Sequence, residues 1–561
     1  MLKKHYLAIL LSIVIALLTF CPQFLSINSM EDSWQGVYPI NTADDIYYLA
    51  RAQDSLDGHI FLSNPYLYEH KDSSPMQFWL ADYFLAMPAN FFNINVAEVY
   101  AFYDLFLVII LVLLTYSILY NLSKNKLLSL SSTTFLHLAL FLDRFGRSPS
   151  PQFNFIFWLL LTLFLIKYIK TNKKIYIILS GLSFGLLFHL YTYYWTFWLC
   201  LLGILFLVNI FLKEKKIKEY FYVILIGILI GIPYFITMFQ SLKLPFYNES
   251  IYRLGMIDTH FPSGFKIVSS AILILFIYFV LWKKKVVKND ALTRLLLIGT
   301  VSTVICVNQH LITGKNLEFS SHYLVLSVFW FIFFFTYLFN KILQNKKDPK
   351  RIVTILFILI LSFSFLNIKN KFLSDIKAKN YEINWQRYVK ILNWLNDNTN
   401  LDSIVYADSE MSNLIPVYTH NNIYYNRFAN LFFISNKECQ ERFIINNYWD
   451  EFTDEYILDY QRYIWGVHYI DEYGHNQSKN KIKKILGLEI NENEIIPRVK
   501  KKSFKKLSDE IKSKSIEESL FSYKVDYLIW DKTKNPHWLI EDLKFLEKVF
   551  EFNDIIVYKI I

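Results

Sequence analysis

Two adjacent acids, Asp44 and Asp45, follow the first hydrophobic stretch of the sequence, in NTADDIYYLARAQDSLDGH. A carboxylate at such a position can act as a general base that deprotonates a hydroxyl group. The acids also have a purely structural explanation, because Thr42-Ala-Asp-Asp45 has the form of a capping box that opens a helix. A capping carboxylate can still be catalytic, so the pattern leaves both roles open.

Basic side chains suited to binding an anion lie between the later hydrophobic stretches. Arginine and lysine can neutralise a phosphate, and arginine can do so with two parallel hydrogen bonds. Arg147 is followed by SPSP, whose prolines favour a tight turn, whereas Arg144 has an ion-pair partner beside it in Asp143. The other candidates are Arg253, His310, Lys315 and His322.

The last three candidates belong to a polar segment, NQHLITGKNLEFSSHY at 308–323, that separates two hydrophobic stretches. Polar groups at membrane depth are costly and usually face a cavity, which favours a re-entrant segment beside a phosphate pocket. A plain loop outside the membrane explains the same composition equally well.

Aromatic residues crowd the segment HLYTYYWTFW, which contains Tyr191, Tyr194 and Trp195. Tyrosine and tryptophan are enriched at both membrane surfaces, so an interfacial aromatic belt is the simpler interpretation. The alternative is a platform that stacks on the apolar face of a sugar ring. Just before this segment, Gly181 and Gly185 are spaced for close packing between membrane helices.

These groups belong to a chain of 561 residues that is 54% hydrophobic. Hydrophobic stretches recur, and most are long enough to cross a hydrocarbon core of about 30 Å. They lack the alternation of apolar and polar residues that marks a membrane β-strand. The sequence predicts a polytopic α-helical membrane protein with about eleven spans, at residues 5–27, 100–120, 127–142, 152–169, 174–192, 196–212, 220–239, 267–282, 291–307, 323–340 and 352–368.

Lysines determine the predicted orientation, because they cluster at the N-terminus and in every second connection. The positive-inside rule places these connections and the N-terminus in the cytoplasm, so the membrane is expected to be a plasma or inner membrane. Residues 1–369 are then a transmembrane domain with a first outer loop at 28–99. Residues 370–561 are an extracytoplasmic mixed α/β domain.

Within residues 370–561, NWQRYVKILNWLNDNTN has the spacing of an amphipathic helix. SIVYAD, NIYYNRF, VDYLIWD and DIIVYKI have the β-branched and aromatic residues that are typical of strands. The lysine-rich stretch 498–514 is predicted to be solvated surface or loop. Apolar pieces of the first outer loop, such as LADYFLAMPANFFNI, suit short helices at the membrane surface.

The sequence gives no sign of a nucleic-acid-binding protein, a disulfide-rich protein or a nucleotide-dependent enzyme. The net charge of +10 lies mainly in short loops, so it reports topology and gives no reason to expect nucleic-acid binding. The four cysteines are scattered and suggest neither a metal site nor a disulfide framework. The sequence has no Walker loop, no dinucleotide fingerprint, no HExxH motif and no Ser-His-Asp arrangement.

The order of these features resembles the GT-C glycosyltransferases: a first helix, an outer loop that opens with an acid pair, many further spans and an outer C-terminal domain. The resemblance implies an inverting transfer of a sugar from a polyprenyl-phosphate donor to a cell-envelope acceptor on the extracytoplasmic face. Asp44 or Asp45 would be the base. The basic candidates named above would bind the donor phosphate, and the aromatic segment would hold the sugar or the acceptor.

Some members of this superfamily hold a divalent metal between several acids. Glu69, Asp72 and Asp82 could join Asp44 or Asp45 in such a site, but their spacing is not diagnostic and no metal is predicted.

Three alternatives remain open from the sequence. A polymerase or ligase of lipid-linked glycans also works on the outer face, although its large outer loop usually comes late in the chain. A transporter would carry ionisable residues near the middle of its spans. A membrane scaffold with an outer recognition domain would need no catalytic acid.

Overall fold

The computed structural model describes residues 4–40, 42, 44–75, 78–214, 217–316, 322–490 and 494–561, with only the backbone of 371–383. The chain is largely helical, as a polytopic helical membrane protein is. In the described part, nine helices are long and apolar enough to cross a membrane. They span Tyr6–Ser33, Val96–Ser123, Ser148–Thr171, Thr192–Phe211, Ile217–Ser241, Phe265–Lys283, Ala291–Thr313, His322–Leu343 and Pro349–Asn370.

Two of the eleven predicted spans form shorter helices. Residues 127–142 give the helix Lys126–Thr134, which continues into a wider π-helical turn at Phe135–Leu140. Residues 174–192 contain the helix Ile175–Leu187. A helix of 13 residues is only about 20 Å long at 1.5 Å per residue. This length is short of the hydrocarbon thickness, so the predicted count of eleven spans is not confirmed.

Glycines allow two helices, Ile175–Leu187 and Ile217–Ser241, to pack closely. A Cβ atom added at Gly185 would lie 2.5 Å from Cβ of Ile230, and one added at Gly181 would meet a side chain at 2.7 Å. Such distances are too short for any larger residue, because small side chains are what lets two helix backbones approach. The predicted close packing at these two glycines is confirmed.

The segment between the first two long helices forms two helices of its own, Asp45–Leu56 and Leu80–Phe92. The second buries a face made of three alanines, Asp82 and Leu85, and it leaves Phe84, Met87 and Phe91 exposed on the other face. An exposed stripe of large apolar residues is what a helix lying along a membrane surface requires. This pattern agrees with the expectation from the sequence.

The C-terminal part contains a five-stranded mixed sheet. Its strand order is Asn422–Ile423, Ile404–Tyr406, Tyr527–Asp531, Ile555–Ile560 and Leu546–Phe552. The first three strands are parallel, and Ile555–Ile560 pairs antiparallel with both of its neighbours. The edge strand Leu546–Phe552 was not predicted, because its sequence LEKVFEF carries three charges. The helices of this part are Val389–Asn398, Met411–Tyr418, Asn436–Asn446, Asp454–Asp459, Gln461–Trp465, His468–Ile485, Arg498–Lys512 and Ile516–Leu520.

Residues 498–512 lie at the surface, as expected, but they form the helix Arg498–Lys512 and not a loop. Its lysines are solvated, but Phe504 and Ile511 are buried on its inner face. The apolar residues are few, and they recur at helical spacing among many lysines. The average composition therefore concealed the amphipathic pattern.

The C-terminal sheet is joined to the segment between the first two long helices. The backbone N–H of Ile423 donates to the carbonyl oxygen of Tyr66 at 3.0 Å. Beside this bond, Arg442 pairs with Glu69 at 2.9 Å and is itself almost fully buried. Residues far apart in sequence thus form one continuous structure above the helix ends.

The helix packing yields a first prediction. Gly185→Leu should lower the thermal unfolding midpoint of the purified protein, because the new side chain forces apart the helix that carries Ile230. The expected cost is about 1–3 kcal/mol, as for overpacking of a core. Gly203→Leu is the matched control, since no atom lies within 4 Å of a Cβ added there. The midpoint is followed by size-exclusion chromatography after heating. Equal midpoints for the two variants would refute the packing role.

Candidate functional site

In the structure the two adjacent acids have different partners. Asp45 accepts hydrogen bonds from the backbone N–H of Thr42 at 2.8 Å and from its hydroxyl at 3.0 Å. This is the backward half of the predicted capping box. Asp44 makes no cap, and its carboxylate instead forms an ion pair with Arg147. Asp45 therefore holds the start of the helix, and Asp44 faces the connection that carries Arg147.

Arg147 stands where the helix ends meet the first connecting segment. Its Nε donates to the carbonyl oxygen of Ser150 at 2.5 Å, so the SPSP turn fixes the direction of the guanidinium. The guanidinium carbon lies 5.4 Å from the ring centre of Tyr48. Burial raises the pKa of the Tyr48 phenol, which consequently stays protonated and able to donate a hydrogen bond. The ion pair remains open to solvent, because Asp44 is 57% exposed.

Tyr48 also forms part of the wall of a cavity of about 480 Å³, a volume in the range of small-molecule sites. We call this space the aromatic cavity. The cavity is lined by residues of the first connecting segment, the SPSP turn, three long helices, the segments 189–191 and 247–256, and the C-terminal part. Its aromatic lining includes Trp79, Tyr191, Tyr193, Trp195, Tyr234 and Phe433.

A buried ion pair forms another part of the cavity wall. Nη2 of Arg51 lies 2.6 Å from Oδ2 of Asp82, and both side chains are almost fully buried. Arg51 also donates to the hydroxyl of Tyr47 at 2.9 Å. Burial raises the pKa of Asp82 to about 6, although the nearby guanidinium opposes this shift. The carboxylate is therefore mainly ionised at neutral pH.

Sequence reasoning did not select Arg51 and considered Asp82 only as a metal ligand. One signal was available, since Arg51 lies four residues after Tyr47 in a helix. An arginine at that spacing is positioned to contact the ring. The partner carboxylate could not be found in this way, because it lies on a different helix.

His322 joins the aromatic residues of the cavity. Its Nδ1 lies 2.5 Å from the hydroxyl of Tyr191, and its ring stacks on Tyr193 with centroids 4.7 Å apart. His322 also interacts electrostatically with Arg144 and Arg147, and Arg144 itself is exposed. Three of the predicted phosphate-binding residues are thus gathered near one another.

The predicted sugar platform divides in two. Tyr191 and Trp195 line the cavity. Tyr194 is buried in the helix bundle and packs on Phe155, with ring centroids 5.4 Å apart. Successive positions on a helix point in different directions, so one aromatic run supplies both a cavity wall and a core residue.

Arg253 lies outside the cavity and has a structural role. Its buried guanidinium donates to the carbonyl oxygens of Asn430, Phe432 and Ile434 at 2.8–3.0 Å and to Oδ1 of Asn436 at 2.7 Å. These bonds tie the connection before the helix Phe265–Lys283 to the C-terminal part. Its donors are therefore committed to the protein itself.

His310 and Lys315 are also not brought to the cavity. Nε2 of His310 lies 2.8 Å from the carbonyl oxygen of Phe261, and the histidine is fully buried. The ammonium group of Lys315 lies over the ring of Tyr252 at 5.6 Å. Residues 317–321 of the same polar segment lie outside the described part of the chain.

The site thus combines a solvent-accessible carboxylate–guanidinium pair with an adjoining cavity that has aromatic walls and a buried ion pair. No family model and no curated protein matches this chain. Function therefore has to be argued from the chemistry of the site itself. The open pair can exchange partners with an anion, and the cavity can enclose a small ring.

The acids considered for a metal site do not fit one. Asp82 is paired with Arg51, Glu69 is paired with Arg442, and Asp72 is exposed. Among the residues that the structure describes, no three histidine, cysteine or acidic side chains converge on a point that could hold a metal ion.

The role of Arg253 leads to a second prediction. Arg253→Met should destabilise the protein by about 3 kcal/mol or more, because it leaves several buried carbonyl groups without a donor. The measurement is the thermal unfolding midpoint in detergent. Arg498→Met provides the control, since the Arg498 side chain is 82% exposed. An unchanged midpoint for Arg253→Met would contradict the structural role.

Proposed function

We propose that this protein is a GT-C-like glycosyltransferase that moves a sugar from a polyprenyl-phosphate donor to a cell-envelope acceptor, with inversion at the sugar carbon. The proposal is carried by the pairing of Asp44 with Arg147 beside the aromatic cavity. Transfer from a lipid phosphate needs a base for the acceptor and a cation for the leaving group. Both groups stand next to a space of suitable size.

Charge supports an extracytoplasmic position for this site. The opposite ends of the helices carry the lysine-rich connections, where Lys170 interacts electrostatically with Lys124 and Lys341. Lysine-rich connections face the cytoplasm of a plasma or inner membrane. The cavity and the C-terminal part then lie on the extracytoplasmic side, where a lipid-linked donor delivers its sugar.

The donor phosphate binds at Arg147, with Arg144 and His322 nearby. The lipid chain leaves the cavity along the helix Ile217–Ser241, which supplies Pro233, Tyr234 and Met238 to the lining. This helix is apolar, and only 17% of its most hydrophobic part is buried in the protein. An unburied apolar helix faces the hydrocarbon of the membrane, so the chain stays in an apolar environment.

The reaction is a single displacement. An acceptor hydroxyl attacks the sugar carbon that is bonded to the phosphate oxygen, and its proton passes to the carboxylate of Asp44. The bond from that carbon to the phosphate oxygen breaks, and the phosphate leaves with the electron pair. Arg147 neutralises the charge that develops there. Because the donor phosphate competes with Asp44 for this guanidinium, donor binding frees the carboxylate to act as the base.

The role of the base gives a third prediction. Asp44→Asn should lower the transfer of labelled sugar from lipid donor to membrane acceptor by about 10²-fold or more, the range of general base catalysis. Asp45→Asn should lose much less, because the amide oxygen can still accept from Thr42. Asp32→Asn is the matched control, as Asp32 is an exposed acid at the end of the first long helix, shortly before the same connecting segment. Full transfer by Asp44→Asn at normal protein level would eliminate this residue as the base.

The phosphate contact gives a fourth prediction. Arg147→Gln should weaken the binding of undecaprenyl phosphate by about tenfold or more, because it removes a charge-assisted contact. The control is Arg294→Gln, which removes an arginine paired with Glu214 at the lysine-rich end. Binding is measured with tritiated lipid on the purified full-length protein. The proposed function is untenable if the wild-type protein does not bind this lipid.

A further inference from the structure

Three almost fully buried residues that line the aromatic cavity carry polar atoms whose hydrogen-bonding capacity is unused. Oδ1 of Asp82, Oδ1 of Asn154 and Nε of Arg51 have no hydrogen-bond partner among the described residues, and the half-buried Trp195 leaves its Nε1 unpaired as well. All three residues line the cavity and are at least nine-tenths buried. Buried polar atoms are normally paired, so three of them around one cavity indicate a ligand that pairs with them.

The rest of each side chain is held in place. The amide nitrogen of Asn154 donates to the carbonyl oxygen of Leu190 at 3.1 Å. The atom of Asn154 that remains unpaired is therefore Oδ1, which is an acceptor. Oδ2 of Asp82 is engaged by Arg51, which leaves Oδ1 as the second acceptor. The unpaired atoms are therefore fixed in type as two acceptors and one donor.

We infer that this part of the cavity is a recognition site for the hydroxyl groups of a neutral sugar. Hydroxyl groups can donate to Asp82 and Asn154 and accept from Arg51, because each carries both a donor and lone pairs. The apolar faces of the sugar ring pack against the aromatic walls. The inference rests on the proposed function, and it assigns the cavity to the transferred sugar of the donor.

Other ligands satisfy this lining less well. A lipid chain would leave all three polar atoms unpaired and buried, at a cost for each. An acidic sugar would place its charge against the carboxylate of Asp82, and the guanidinium of Arg51 is already neutralised by that carboxylate. A neutral ring with several hydroxyl groups is the class of ligand that pairs the three buried atoms of Asp82, Asn154 and Arg51.

The experiment compares lipids that differ only in the sugar. Undecaprenyl-phosphate-linked glucose, mannose, N-acetylglucosamine and arabinose each compete with tritiated undecaprenyl phosphate for the purified full-length protein. Undecaprenyl methyl phosphate is the reference, because it is also a phosphodiester but has no sugar. The wild-type protein should bind at least one sugar lipid about tenfold more tightly than the reference.

Two variants remove the proposed contacts. Asn154→Leu and Asp82→Asn should each reduce this preference about tenfold, and Asn154→Leu should leave binding of the reference lipid unchanged. The matched controls are Asn209→Leu and Asp54→Asn. Asn209 is a buried asparagine that donates to a main-chain carbonyl group, and Asp54 is a buried acid that pairs with Lys71. Neither residue lines the cavity. Asn154→Leu keeps the test valid if Asp82→Asn fails to fold.

A deoxy form of the preferred sugar makes the result specific. Removing the contacted hydroxyl should weaken binding to the wild-type protein but not to Asn154→Leu, which a merely structural effect would not produce. The inference is overturned if no sugar lipid binds more tightly than the reference, or if both variants keep the wild-type preference. Either result can occur while the lipid phosphate still binds through Arg147, so it would leave the proposed function standing.

Discussion

The structure around the site depends on the cost of burying charge. Arg51 and Asp82 lie almost completely out of contact with solvent, and removing either partner from such a pair typically costs about 3–5 kcal/mol. The pair links the helix Asp45–Leu56 to the helix Leu80–Phe92. This bond thereby positions Tyr48 and the start of the first helix, from which Asp44 reaches Arg147. The buried pair of Arg51 and Asp82 thus helps to determine where the exposed pair of Asp44 and Arg147 lies.

The two ion pairs have the same chemistry but different environments, and this difference suits them to different tasks. The pair of Asp44 and Arg147 is partly solvated, and a pair of that kind contributes only about 0–1 kcal/mol. A phosphate can replace its carboxylate at little cost. The buried pair of Arg51 and Asp82 is retained because neither group can be solvated if it separates. One pair can exchange its partner, and the other fixes the shape of the cavity.

The sequence predicted what depends on local pattern and missed what depends on distant partners. The long spans follow from hydrophobic length, and Arg147 was selected because the prolines after it indicate a rigid turn. The pair of Arg51 and Asp82 could not be predicted, since its members are 31 positions apart on separate helices. The structural role of Arg253 could not be predicted either, because the carbonyl groups that it binds belong to a segment that begins 177 positions later.

The bond between Ile423 and Tyr66 has a consequence for biosynthesis. The segment that contains Tyr66 leaves the ribosome early, but its partner strand is made more than three hundred residues later. At about 5–20 residues per second, the nascent chain waits roughly 20 to 70 seconds before that strand arrives. Until then the carbonyl oxygen of Tyr66 and the carboxylate of Glu69 lack their partners. Assembly of this protein is therefore completed only after most of its helices have been synthesised.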